Sequence, residues 1–170
     1  MSFMDVIRIP PGMTVEAPTA EAIGFILDHP RDLERITMNV TGIEQTPEIR
    51  QSLIGTFMGA TESYVGRIDG EPFLYWSLNI VPATTTGEPT VFYLATATDR
   101  VETVNPIALS RLARRFIRYG RDRYPYLPHM GTTLAEATRA HKWMRVIGFT
   151  PIGESTFHGV TVANLQILPD

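Results

Sequence analysis

With 170 residues, 44% of them hydrophobic and 19% charged, the chain can bury roughly two-thirds of its unfolded surface in one core, so a single domain over 1–170 is expected. A net charge of −3 with a pI near 5.8 argues against a general nucleic-acid binder, and zero cysteines exclude disulfides, thiolate metal sites and a cysteine nucleophile. No run is long enough to span a bilayer, and Asp5 and Arg8 interrupt what would be a signal peptide's apolar stretch, so a cytoplasmic protein with no membrane partner is expected.

In chain order, the only candidate for a first strand is Val6–Pro10. Thr19 is placed to cap a short helix with Ala22, Phe25 and Ile26 on one side, and another helical turn starts near Pro30, the two forming a pair of first helices. Thr46 caps a second segment with Pro47 at its first position, where Ile49, Leu53, Ile54, Phe57 and Met58 recur at helical spacing. Three strand-like runs come next: Ser63–Asp69, Pro72–Val81 and Pro89–Thr98. Asp69-Gly70 reads as a tight hairpin turn, and Pro82–Pro89 as a looser polar loop.

Asn105-Pro106 opens the longest helix, which runs to about Gly120 with Leu109, Leu112, Ala113 and Phe116 as its buried stripe. Arg111, Arg114, Arg115 and Arg118 repeat on the opposite face, the pattern of an ordinary solvated helix face, but no acidic residue before Asp122 relieves their repulsion, which makes this face a candidate partner-binding surface as well. A strand over Gly131–Ala137 follows, then a helix over Thr138–Ile147 that stops on Gly148. Two C-terminal strands complete the chain, around Pro151–Thr156 and Val160–Leu168.

The helix ending in Gly148-Phe149, the spacing of His141 and Trp143 before it, the aromatic strand with Leu74-Tyr75-Trp76 and the order of elements together resemble the GNAT superfamily of acyl-CoA-dependent N-acyltransferases. The resemblance implies an α/β (α+β) fold with a mixed, mainly antiparallel sheet of about six to seven strands and about four flanking helices. Within the superfamily the chain resembles a phage-encoded group described as internal virion or virion-assembly proteins.

The resemblance places the cofactor pyrophosphate at Ala97–Ala108 and a thiolate-protonating tyrosine four positions before Gly148. This chain has no glycine in that loop, Pro106 lacks an amide donor, Glu102 adds negative charge, and position 144 is methionine. Thr138 stands where the superfamily often carries asparagine. Thr96, Thr98, Arg100, Asn105 and Thr138 are the residues that would meet acetyl-CoA. Glu136, Asp99 and His141 are the candidates for proton transfer, each also readable as an ordinary solvated or helix-packing side chain.

His29, His129, His141 and His158 show no ligand spacing, so no metal is expected. Tyr64, Tyr75, Trp76 and Tyr93 lie on adjacent strands, where alternation must send some to the core. The expected function is therefore a GNAT-fold, phage-type protein that has lost acyl transfer and acts in virion structure or assembly, through protein contacts or self-association in the host cytoplasm or virion. No cofactor is expected in that case. The alternatives are a divergent acetyl-CoA-dependent N-acetyltransferase and a CoA- or nucleotide-binding module without turnover.

Overall fold

The computed structural model describes residues 3–40, 46–82, 88–157 and 159–168. His158 and most of the Pro82–Pro89 loop lie outside them. Seven strands and six α-helices follow one another as α1 Phe3–Val6, β1 Met13–Glu16, α2 Ala20–Asp28, α3 Asp32–Val40, α4 Pro47–Met58, β2 Glu62–Ile68, β3 Glu71–Val81 and β4 Thr90–Ala97, then a 3₁₀ helix Asp99–Thr103, α5 Pro106–Arg123, β5 His129–Leu134, α6 Thr138–Ile147, β6 Thr150–Phe157 and β7 Val160–Ile167.

The α/β architecture, with a seven-stranded, mainly antiparallel sheet and flanking helices, is the expected one; the helical turn expected after Pro30 is the nine-residue helix Asp32–Val40, and Phe3–Val6 adds a short helix at the start. The first strand is not Val6–Pro10. It is Met13–Glu16, where Met13 and Val15 alternate inward, a pattern four residues long and easily missed. The fifth strand begins at His129 and ends at Leu134, leaving Ala135–Ala137 as a turn.

The sheet order is β1-β2-β3-β4-β5-β7-β6, and every neighbouring pair is antiparallel except β4–β5. Between β2 and β3, Asp69 and Gly70 have φ of 52° and 80°, the paired left-handed conformation of a tight hairpin turn. β7 runs between β5 and β6, so the last strand in sequence is interior to the sheet.

Helices cover both faces. On one, Ala22, Ile23, Ile26 and Leu27 of α2 and Ile54 and Phe57 of α4 bury Val65 and Tyr75. On the other, Leu112 and Phe116 of α5 pack with Phe3, Tyr64 and Trp76, while Ile117 of α5 meets Ile147 of α6, Phe149, Leu165 and Ile167. Strand alternation thus divides the aromatic run. The Tyr75 hydroxyl donates to the Phe57 carbonyl at 2.8 Å, whereas Trp76 meets Phe116 edge-on. No helix among the described residues is long and apolar enough to cross a membrane.

Candidate functional site: the gap between β4 and β5

The two parallel strands pair only at Val91 with His129 and at Phe92 with Met130, then part. Successive residues of a strand point their backbone groups to opposite sides, so one bond sets the rest. The Val91 amide donates to the Pro128 carbonyl at 2.8 Å on the β5 side, and the Thr98 amide donates to the Phe73 carbonyl at 2.9 Å on the β3 side. Tyr93, Ala95 and Ala97 therefore aim their backbone groups at β5. Ala95 is exposed, and β5 offers it no partner. The Ala97 carbonyl accepts from the Arg31 amide at 3.0 Å, so the loop between α2 and α3 closes one corner of the gap.

At the paired end, a buried histidine and a half-buried tyrosine link the strands. The His129 Nε2 lies 3.1 Å from the Tyr124 carbonyl, which can only accept, so this nitrogen carries the proton. Nδ1 is then the acceptor for the Tyr93 hydroxyl at 2.8 Å. Burial holds the His129 pKa below its ordinary 6.5, against the opposing effect of the Tyr124 carbonyl bond, and burial pushes the Tyr93 phenol well up. Gly120 of α5 sits against that phenol, and a Cβ there would collide with the hydroxyl.

At the open end, the residues singled out from sequence occupy two banks. On the β4 bank, Thr96 and Thr98 are buried, and Thr96 pairs with Tyr75 and shares its face of the sheet. The Thr98 hydroxyl caps the 3₁₀ helix through the Arg100 amide at 3.3 Å, and Asp99 is exposed at that helix's first position. Arg100 reaches the β2–β3 turn, donating to the Ile68 carbonyl at 3.2 Å and lying 3.5 Å from Glu71 and 3.8 Å from Asp69.

Asn105 caps α5: its side-chain oxygen accepts from the amides of Ile107 at 2.9 Å and Ala108 at 3.3 Å. With Pro106 lacking an amide proton, the first turn already spends its donors on its own cap.

On the β5 bank, Glu136 is exposed in the turn and Thr138 is exposed at the first position of α6, whose N-cap makes no side-chain bond. His141 donates from Nε2 to the Leu134 carbonyl at 2.8 Å, tying α6 to the end of β5. Met144 packs into the cluster of Ile147, Phe149 and Leu165. The banks are joined by Trp143, whose indole donates to Ser110 Oγ at 3.1 Å, and by Arg139 and Glu102 at 3.9 Å. Sequence spacing did not reveal Ala95, Arg31, the Tyr93–His129 pair or the Trp143–Ser110 bond, each of which depends on partners far apart in the chain.

Gly148 ends α6 as anticipated, at φ 113°. The Phe149 amide returns to the Met144 carbonyl at 2.9 Å and the Gly148 amide to the Arg145 carbonyl at 3.1 Å, the paired bonds of a glycine-terminated helix. The next carbonyl, that of Val146, accepts from Nε of Arg114 at 2.8 Å. Arg111, Arg114, Arg115 and Arg118 are all exposed and line a recess of about 150 Å³ on α5. Among the described residues, no group of three or more His, Asp and Glu side chains gathers as a metal would need.

No protein-family model and no curated protein matches the chain. Solved structures do. An acetyltransferase of the GNAT family from Bacillus anthracis superposes with a TM-score of 0.66 at 16% identity, covering 95% of this chain and 97% of that one. An N-acetyltransferase from Staphylococcus aureus gives 0.65 at 16% identity, covering 91% and 96%. For yncA of Salmonella typhimurium, whose structure holds its cofactor acetyl-CoA, the TM-score is 0.59 at 14% identity, covering 94% and 95%. Likeness over nearly the whole length, together with a sheet that parts between its fourth and fifth strands, identifies the fold as that of the GNAT acetyltransferases.

Proposed function

We propose that the chain is a divergent acyl-CoA-dependent N-acyltransferase that takes acetyl-CoA and an amine. The observation that carries this reading is Ala95, an exposed residue in mid-sheet whose amide and carbonyl face a gap where β5 has departed. An extended ligand bearing its own amides, such as a pantetheine arm, satisfies those groups as a substitute strand. The acyl-CoA would supply an activated thioester.

The chain's own part is positioning and proton removal. The gap aligns the reacting groups, and the exposed carboxylates of Asp99 and Glu136 stand at the ends of the two banks, where either can accept the proton lost by the amine. The fit is uneven, because the amides of Ile107 and Ala108, which would face the pyrophosphate, are held by Asn105. Met144 in α6 offers no proton at the position where a departing thiolate would need one.

The self-capped α5 and Met144 favour a second reading, a GNAT-fold protein without turnover that works through protein contacts or self-association. Its assignment to virion structure or assembly rests on the sequence resemblance alone.

Calorimetric titration with acetyl-CoA, followed by measurement of thiol release with a panel of amines, separates the readings. The transferase is expected to bind one acetyl-CoA per chain and release thiol. An Ala95→Pro variant, which removes a donor only on the strand's unpaired side, should keep the fold and lose binding. Absence of binding at millimolar acetyl-CoA overturns the proposal in favour of the second reading, and binding without thiol release leaves a ligand-binding module.

A further inference from the structure

Seven of the fourteen arginines have a described carboxylate partner. Arg31 pairs with Glu34, Arg35 with Asp32, Arg50 with Asp28, Arg67 with Glu16, Arg100 with Glu71, Arg123 with Glu62 and Arg139 with Glu102. Four of the others gather on the outer face of α5. Among the described residues, Arg111, Arg114, Arg115 and Arg118 form no ion pair. The two with partners use backbone carbonyls, Arg114 on Val146 and Arg115 on Arg8 at 3.3 Å.

A carbonyl fixes a guanidinium without cancelling its charge. Each guanidinium has five N–H donors, and these bonds use only some of them, so Arg114 and Arg115 are held in place with positive charge and donors to spare. Arg111 and Arg118 close the two ends, about 10.5 Å apart along the helix axis at 1.5 Å per residue. All four line one recess of about 150 Å³.

We propose that this recess is an anion site for a phosphoryl group carried on a small molecule, separate from the β4–β5 gap. Four like charges at i, i+3 and i, i+4 spacing repel one another, and a multiply charged anion at their centre removes that repulsion. Guanidinium forks match phosphate oxygens two at a time. Pre-positioning of Arg114 and Arg115 lowers the ordering cost of binding. A short, shallow recess suits one compact phosphoryl group, whereas a polymer backbone calls for a longer track of cations. Arg111 lies one turn beyond the amides capped by Asn105, so the recess is on the body of the helix and not at its N-terminus.

Thermal-shift and calorimetric titrations with inorganic phosphate and pyrophosphate test the proposal, at low and physiological salt, on the wild type and on an Arg111→Gln/Arg118→Gln double variant. Both substituted side chains are exposed and have no described partner, so the variant should fold and melt at or slightly above the wild-type temperature in the absence of ligand. Pyrophosphate is expected to bind the wild type 1:1 and raise its melting temperature, more weakly at physiological salt, with at least a tenfold loss of affinity in the variant. Acetyl-CoA affinity should be the same in both proteins.

Failure of both probes to bind at millimolar concentration overturns the site, as does equal binding by the two proteins. Loss of acetyl-CoA binding in the double variant shows that the arginines belong to the gap's ligand and overturns a separate site. Tighter binding of a single-stranded oligonucleotide or a glutamate-rich peptide than of pyrophosphate replaces the phosphoryl site with a macromolecular interface.

Discussion

Tyr93 and Ala95 are two residues apart on the same strand, aim their backbones the same way, and live in opposite circumstances. Tyr93 is locked to His129, which is itself bonded to the Tyr124 carbonyl, beside a glycine that leaves no spare room. Ala95 faces an opening with nothing on β5 to bond. The lesson is that the paired end makes the parted end sustainable. Strands β4 and β5 share two registered pairs, and the half-buried tyrosine–histidine contact adds an anchor where the ladder stops.

The largest effect should come from tightening the paired end too far. In Gly120→Ala the new methyl displaces the Tyr93 hydroxyl, combining overpacking with a buried polar group left unsatisfied, for an expected loss of about 3 kcal/mol in denaturant unfolding. A loss below about 0.5 kcal/mol would mean that the anchor is soft and does not secure the parted end. Gly148→Val probes the helix end that borders the β5 bank. Its Cβ has open space, so the only cost is the left-handed φ, about 1–2 kcal/mol.

The anchor also carries a pH signature. Because the folded state holds the His129 pKa below the unfolded value, its contribution is complete above about pH 6.5 and is lost progressively as pH falls from there towards the folded pKa. Unfolding midpoints between pH 7.5 and 5 should fall more steeply in wild type than in His129→Asn, by at most about 1.4 kcal/mol per pH unit for one proton. Parallel curves would show that His129 takes up a proton without loosening the strands.

The smallest change in stability is expected on the open side. Asn105→Gly should cost only about a few tenths of a kcal/mol, since glycine is itself a fair N-cap, yet it frees the amides of Ile107 and Ala108. If the gap takes acetyl-CoA, calorimetry should record tighter binding in this variant than in wild type. Equal or weaker binding would show that those amides do not face the ligand.

What sequence could reveal follows the range of the interactions. Thr19, Thr46 and Asn105 each cap the helix assigned to them, with hydroxyl or amide oxygens bonded two or three residues on, because capping is decided within one turn. The Asp69-Gly70 turn and the Gly148 stop are local in the same sense. The parting of β4 from β5 is not. It depends on register between strands more than thirty residues apart, and no residue type marks where a parallel ladder ends. Likewise Arg114 reads as part of a charged stripe, while the carbonyl it serves lies thirty-two positions away on another helix. Of the candidate site, sequence placed the two banks and named the side chains along them, but the gap itself is a property of pairing.

The position of β7 has a kinetic consequence. It registers against β5 through six residue pairs and against β6 through seven, whereas β5 holds β4 through two. During synthesis, β5, α6 and β6 emerge before the strand that joins them, so this half of the sheet stays incomplete until β7 inserts between its neighbours. Non-local pairings of this kind are slow to form and leave strand edges exposed meanwhile. The first half of the sheet, β1 to β4, is built from strands that pair in sequence order and is positioned to fold ahead of it, so the wall of the gap that carries Ala95 would exist before the wall that faces it.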